Sequence, residues 1–239
     1  MVERVNIADY IKLYEVGIGL DRIKPLKNQT YRLFKESGED IRIVNRSQAY
    51  QINPLAFTKV QYFMQDNEYF YMIPVTTIKG TIVGFILRGV LRSDYSTVSR
   101  EFNDVKLKVP LMYGFNKAFE DFDKSRKCFP IIVCEGSKDC IFLKRLYPYV
   151  LANNTSSMGL NSQVLINLSN KFILAYDNDR AGQEGIERDK KILRNLGAQV
   201  VDLELDRNVK DCADYLDHPD KLGKLKEEIE YKIRRVQSF

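Results

Sequence analysis

The sequence predicts an α/β unit built on a parallel sheet flanked by helices, preceded by an α+β N-terminal subdomain. Three observations lead there. From about residue 127, short apolar runs alternate with segments of helical periodicity, the pattern of parallel strands joined by right-handed crossovers. Before that point the chain is rich in aromatic and β-branched residues and carries a hairpin pattern. Acidic residues also recur just beyond the apolar runs, where an open parallel sheet receives its ligands.

In chain order, ADYIKLYEVGIG and NPLAFTKVQYFMQ read as short helices, the second capped by Asn53 with Pro54 at its first position. YFYMIPVTT and TIVGFILRGV alternate like strands, and Lys79-Gly80 between them supplies the turn of an antiparallel hairpin. Past residue 126, PIIVC is a buried strand that Gly136 breaks. SKDCIFLKRLY follows at helical spacing, with Ser137 as candidate N-cap. YVLAN is a shorter strand, NSQVLINLSN a helix, and KFILAY a third buried strand. RAGQEGIERDKKILRNLG is a helix that Gly197 ends, and AQVVDLEL is a fourth strand. HPDKLGKLKEEIEYKIRRVQSF is a charged amphipathic helix. Its Lys221, Lys224, Lys226, Lys232, Arg234 and Arg235 stand among Glu227, Glu228 and Glu230, which reads as a solvated face. The expected boundaries are residues 1–126, 127–217 and 218–239.

Composition narrows the class. Apolar residues make up 44% and charged residues 29%, the balance of a globular chain able to bury a core. No apolar stretch reaches the ~18 residues of a membrane span, and MVERVNIADYIKLYEVG lacks the apolar core of a signal peptide. A cytoplasmic protein without membrane partners is expected. Cys128, Cys134, Cys140 and Cys212 form no CxxC pair and His218 is the only histidine, so buried reduced thiols are expected and zinc is not. The net charge of +5 is compatible with a phosphate-backbone partner without requiring one.

The chemistry lies in the acids. Glu135 follows PIIVC, with Asp139 one helical turn later; Asp177 and Asp179 follow KFILAY; Asp211 and Asp214 follow AQVVDLEL after a loop. Parallel strands would deliver these three sets to one sheet edge. Each set alone is an ordinary turn or cap; their joint occurrence at strand ends is not. Clustered carboxylates raise one another's pKa, and a cation reverses that penalty. Mg²⁺, with Mn²⁺ as a substitute, suits the set because it takes a few hard oxygens, keeps waters and completes its shell with phosphate.

The runs IIVCEGSKDCIFL, FILAYDNDRAGQEG and VKDCADYL resemble the Toprim domain shared by bacterial-type primases, topoisomerases and some nucleases. The resemblance covers about residues 128–217, and AYDNDRAG is similar to the primase form. It implies that Glu135 and Asp139, then Asp177 and Asp179, then Asp211 and Asp214 are the metal-binding acids, with Glu135, Asp177 and Asp179 catalytic. The earlier half more loosely resembles the rest of a primase catalytic core of the DnaG type. The matching stretches are Met72-Ile-Pro-Val, Gly84-Phe-Ile-Leu-Arg88 and Leu111-Met-Tyr-Gly-Phe-Asn-Lys117, the last a Tyr-Gly helix start. Departures from the pattern are Phe70 and Tyr71, where an arginine is usual, and Asp94-Tyr95.

The resemblance implies primer synthesis on single-stranded DNA from ribonucleoside triphosphates, with a replicative helicase as partner. Arg88, Lys108, Lys117, Lys138 and Arg180 are the candidate cations for nucleotide or template, beside Arg92 and Lys106. Neither a GxxxxGK[ST] loop nor a four-ligand zinc module occurs, so a compact core of a bacterium or phage-infected cell is expected. Two alternatives share the metal site: a metal-dependent nuclease, and a non-catalytic nucleic-acid-binding protein.

Overall fold

The computed structural model describes residues 11–12, 14–22, 29–45, 47–48, 69–77, 79–90, 96–98, 112–115, 119, 129–153 and 161–238. The chain divides into two compact units, residues 1–77 with 81–107, and residues 78–80 with 108–239.

Among the described residues, the first unit is an antiparallel sheet in chain order: β1 (Ile18–Gly19), β2 (Arg42–Asn45), β3 (Tyr69–Thr76), β4 (Ile82–Gly89) and β5 (Ser96–Val98). Helix α1 (Gln29–Glu36) buries Tyr31, Leu33 and Phe34, and the Phe34 ring meets Tyr71 of β3 edge-on at 4.9 Å. The expected hairpin is β3 with β4, turning at Lys79–Gly80, where Gly80 takes a φ of +76°. Pro74 is tolerated in β3 for a directional reason. Tyr69 accepts from Val90, so odd-numbered residues of β3 aim their backbone at β4. Even-numbered ones face β2, whose pairing stops at Met72, so Pro74 withholds no N–H that the ladder needs. The first predicted helix is shorter than expected, since Ile18 and Gly19 leave it to pair with Ile43 and Arg42. The helix predicted over NPLAFTKVQYFMQ lies outside the described residues.

The second unit holds the parallel sheet, in the order β7 (Val150–Ala152), β6 (Ile131–Cys134), β8 (Lys171–Ala175), β9 (Gln199–Asp202). Every pairing is parallel, so all four carboxyl ends lie on one edge. Strand β6 is fully buried, and β8 is buried from Phe172 onward, which is why both read as unbroken apolar runs rather than alternating ones. Connecting them are α2 (Ser137–Lys144), α3 (Asn161–Leu168) and α4 (Arg180–Asn195). Phe119, Val133, Leu165, Phe172, Leu174, Ile186 and Leu193 form the heart of the core. Each contributes roughly 1.5–3 kcal/mol through burial.

Three local expectations change. The N-cap of α2 is Gly136 rather than Ser137, which is the first helical residue and is buried. Tyr113 does not start a helix; it bridges Ala152 of β7 in antiparallel sense and extends the sheet edge. Gly114 there has a φ of +114°, and a Cβ would lie 2.6 Å from the Cys140 sulfur. The final helix, α5 (Leu222–Gln237), packs on β8 and β9 through Leu225, Ile229 and Val236. Lys232 lies in that apolar stripe, buried rather than solvated, with its ammonium 2.8 Å from Glu204 and 3.2 Å from Glu228.

Candidate active site

Six acids rise from three places on the carboxyl edge of the parallel sheet. Glu135 directly follows β6, Asp177 stands two residues beyond β8, and Asp211 follows β9 after an eight-residue loop. Hydrogen bonds stitch these segments into one surface. The Glu135 Oε1 accepts the Asp177 backbone N–H at 3.0 Å. The Asn178 N–H donates to the Lys210 carbonyl at 2.6 Å, and its side-chain amide donates to the carbonyls of Asp206 and Val209, each at 3.2 Å. Asp139 Oδ1 accepts the Ala213 N–H at 2.9 Å, tying α2 to the 3₁₀ turn Cys212–Leu216.

The acids are not equivalent. Asp179 has an extended backbone and caps α4, taking the Gly182 N–H on Oδ1 at 2.9 Å. Asp211 caps the 3₁₀ turn by accepting the Asp214 N–H at 2.8 Å, and Asp214 Oδ2 accepts the Lys210 N–H at 3.2 Å. Each cap engages one carboxylate oxygen and contributes roughly 1 kcal/mol. Asp179 holds its own helix through one oxygen, while the Asp177 carboxylate lies 3.8 Å from the Lys210 ammonium and its backbone N–H is held by Glu135.

Electrostatics single out two of them. Burial pushes Asp139 up to about 8, with Asp211 and Asp177 adding to it against the Ala213 hydrogen bond and Lys138. Burial pushes Asp177 up to about 6, reinforced by Glu135 and Asp211 and opposed by Lys210. Two lysines answer this negative charge. Lys210 Nζ stands 3.8 Å from Asp177 Oδ2, and Lys138 Nζ stands 4.0 Å from Asp214 Oδ1. Both contacts are long for ion pairs, and Asp177 and Asp139 stay raised in their presence.

These are hard oxygen donors short of positive charge, and that chemistry fits a divalent cation. Among the described residues no three carboxylate, thiol or imidazole side chains form a ready-made metal cage. Mg²⁺ does not require one, because it binds through one or two carboxylates and fills its shell with water and phosphate.

The predicted cations separate. Lys138 is at the site. Arg180, at the start of α4, is 93% exposed and pairs with Glu184 at 2.8 Å. Arg88 is a partly buried residue of β4 in the other unit, opposite Tyr71 and Ser96. Lys108, Lys117, Lys106, Arg92 and Cys128 lie outside the described residues. The other three cysteines are free, buried thiols, and burial raises Cys134 and Cys212.

Several site residues were not anticipated. Lys210 precedes Asp211 in VKDCADYL and could have been marked by that position. Asn178, between the two aspartates, fastens the DND loop to the loop after β9. No sequence signal distinguished Tyr176, Arg188 and Asp189. The Tyr176 hydroxyl donates to the fully buried Asp189 carboxylate at 2.8 Å, and Arg188 donates to both oxygens of the same group.

Comparison with known proteins gives the class first. Residues 132–216 match the family described as Toprim-like. The match spans the parallel sheet and its flanking helices, so this part of the chain is similar to a Toprim domain. The particular likeness is to primases. A DNA primase of Clostridium acetobutylicum is 29% identical over 134 residues, 54% of this chain but only 21% of that protein. The structure of the DnaG primase catalytic domain bound to ssDNA has a TM-score of 0.62 at 20% identity, over 96% of this chain and 80% of that one. The primase fragment of the bacteriophage T7 primase-helicase protein has a TM-score of 0.52 at 17% identity, over 85% and 70%. The fold is similar to that of solved DnaG primase catalytic cores, the likeness that the motifs implied.

Proposed function

We propose that the protein is the catalytic core of a DNA primase, joining ribonucleoside triphosphates into short RNA primers on a single-stranded DNA template. The observation that carries this is the convergence of Glu135, Asp139, Asp177 and Asp211 on one carboxyl edge of the parallel sheet, tied together by the Glu135–Asp177, Asn178–Lys210 and Asp139–Ala213 hydrogen bonds. Lys210 and Lys138 approach these acids only to 3.8 and 4.0 Å, which leaves them suited to a metal-phosphate ligand. The extent of the primase-like fold over both units favours nucleotide addition over phosphodiester cleavage.

In this reading Asp177 and Glu135, with Asp211 and Asp214, hold Mg²⁺ or Mn²⁺. The bound ion would neutralise the triphosphate as the 3′-hydroxyl oxygen bonds to the α-phosphorus and pyrophosphate leaves in line. The chain's own residues set the geometry. Glu135 commits one oxygen to the Asp177 N–H, which leaves the other for the ion or for the proton of the attacking 3′-hydroxyl. Asp179 holds the start of α4 with one oxygen and keeps the second for the metal-water shell. Lys138 and Lys210 lie beside the acids and would meet phosphate oxygens as point charges. By the family resemblance, Arg88, Lys108, Lys117 and Arg180 are the candidate contacts for nucleotide or template. The helicase partner is proposed by analogy with the T7 protein.

Primer synthesis tests the reading. The purified chain, given Mg²⁺ or Mn²⁺, single-stranded DNA and ribonucleotides, is expected to make oligoribonucleotides. Asp177→Ala combined with Asp179→Ala is expected to make none. Template cleavage without nucleotide addition would show a nuclease instead, and retained synthesis in the double variant would remove the metal role.

A further inference from the structure

Beneath the DND loop lies a charged network that the proposed chemistry leaves unused. Asp189, on the inner face of α4, has no solvent exposure. It accepts the Tyr176 hydroxyl at 2.8 Å on Oδ2 and is gripped by its neighbour Arg188, through Nε at 3.0 Å and Nη2 at 3.3 Å. The Tyr176 ring is pressed on the α4 backbone, since a Cβ at Gly185 would lie 3.2 Å from the ring. Tyr176 is the residue between the end of β8 and Asp177. The Asp189 end of this network is buried while the Arg188 side chain is 43% exposed, so the ion pair itself contributes only modestly to stability. It does confer directionality: Tyr176 has one position from which its hydroxyl reaches Asp189.

We infer that Tyr176, Asp189 and Arg188 are positioning residues that lock the strand-to-loop exit and so set where Asp177 presents its carboxylate. The lock works from below the loop. The Glu135 bond to the Asp177 N–H and the Lys210 carbonyl bond to the Asn178 N–H hold it from above. Without the lower hold, the loop is restrained only by the Glu135 and Lys210 bonds, the Asn178 side-chain bonds and the Asp179 cap, none of which fixes the strand exit at Tyr176, and small displacements of catalytic groups are costly in rate. The inference adds positioning residues to the proposed metal site and rests on that reading for its catalytic consequence, while its structural core stands apart from it.

The variants are Tyr176→Phe, which keeps the ring and removes the hydroxyl, and Asp189→Asn, which keeps an acceptor and removes the charge. Amide hydrogen exchange of the full chain is read at Asp177 and Asn178, relative to amides of β6. Exchange at these two amides is expected to speed up about tenfold or more in Tyr176→Phe, with β6 unchanged. Mn²⁺ affinity is expected to fall several-fold. In primer synthesis kcat is expected to fall about tenfold, with little change in the nucleotide KM. Tyr176→Phe with Asp189→Asn together are expected to do little more than the stronger single change, because the two act as one unit. If the wild type makes no primer but loop exchange and Mn²⁺ affinity respond as described, the positioning role stands and the primase reading fails. If exchange at Asp177 and Asn178 stays at the wild-type rate and only the melting temperature drops, the network is structural and the inference is overturned.

Discussion

Gly182→Ala puts one methyl group against the candidate site. A Cβ at Gly182 would lie 2.0 Å from the Asp177 carbonyl oxygen, 2.8 Å from its carbonyl carbon and 3.0 Å from its nitrogen. Carbon-to-oxygen contacts normally stay above ~3.3 Å, so the loop or the helix must move by on the order of 1 Å. All three atoms are backbone, and Asp177 is held by Glu135 while Asn178 is held by Lys210, so no flexible side chain can yield instead. Overpacking costs roughly 1–3 kcal/mol. Disturbing the Asp179 cap on the Gly182 N–H adds about 1 kcal/mol. Replacing a helical glycine by alanine returns about 1 kcal/mol. The net loss is roughly 1–3 kcal/mol, a fall in melting temperature of roughly 2–10 °C for a unit of this size. Gly223→Ala is the control, because nothing lies within 4 Å of its added Cβ and it sits in the first turn of α5. That change is expected to be neutral or to stabilise by up to ~1 kcal/mol. Circular-dichroism melting of both variants, followed by Mn²⁺ titration and primer synthesis, reads the outcome. Should Gly182→Ala melt with Gly223→Ala and bind Mn²⁺ like the wild type, the packing of the DND loop on α4 is not what places Asp177.

Three further outcomes follow from the same geometry. Asp179→Asn keeps an oxygen for the Gly182 N–H and should melt near the wild type, whereas Asp179→Ala should lose about 1 kcal/mol. Both should lose most primer synthesis, and an active Asp179→Asn would reduce this residue to a cap. Lys210→Gln removes a cation that is two-thirds exposed, so its stability effect should stay below ~1 kcal/mol. It should raise the nucleotide KM, and an unchanged KM would exclude a phosphate contact. For pH, Asp139 and Asp177 are raised to about 8 and about 6, so the native state binds more protons than the unfolded chain between roughly pH 4 and pH 8. Metal-free protein should therefore lose stability as pH rises through that window. Mg²⁺ should oppose the loss, since a cation favours the ionised acids. Thermal melts at pH 5 and pH 8, with and without Mg²⁺, check the sign; a metal-free protein more stable at the higher pH would contradict it.

What was legible in the sequence, and what was not, follows from range. Strands β6 and β8 could be read because burial on both faces leaves a continuous apolar run. Parallel order then requires their carboxyl ends to share an edge, which brings Glu135 and Asp177 together before any distance is known. The division of labour among the acids was hidden, because it depends on backbone direction within a few residues of a helix start. Asp179 and Asp177 differ by two positions, yet the Asp179 carboxylate holds α4 while the Asp177 carboxylate stands beside Lys210. Ser137 illustrates the same limit: it has the chemistry of a cap but stands one residue inside the helix that Gly136 opens. Lys232 was misread for a different reason. Its partners are Glu228, one turn away, and Glu204, beyond β9, and only the docking of α5 brings the second within 2.8 Å. Asp189 lies three residues after Ile186 and four before Leu193, on the inward stripe of α4, but its charge among Glu187, Arg188 and Lys190 masks that spacing. The acids that can be read are placed by strands; the groups that aim them are placed by tertiary contacts between segments that are silent apart. If the network beneath Asp177 acts as inferred, the part of this site that sets its geometry is the part its motifs do not contain.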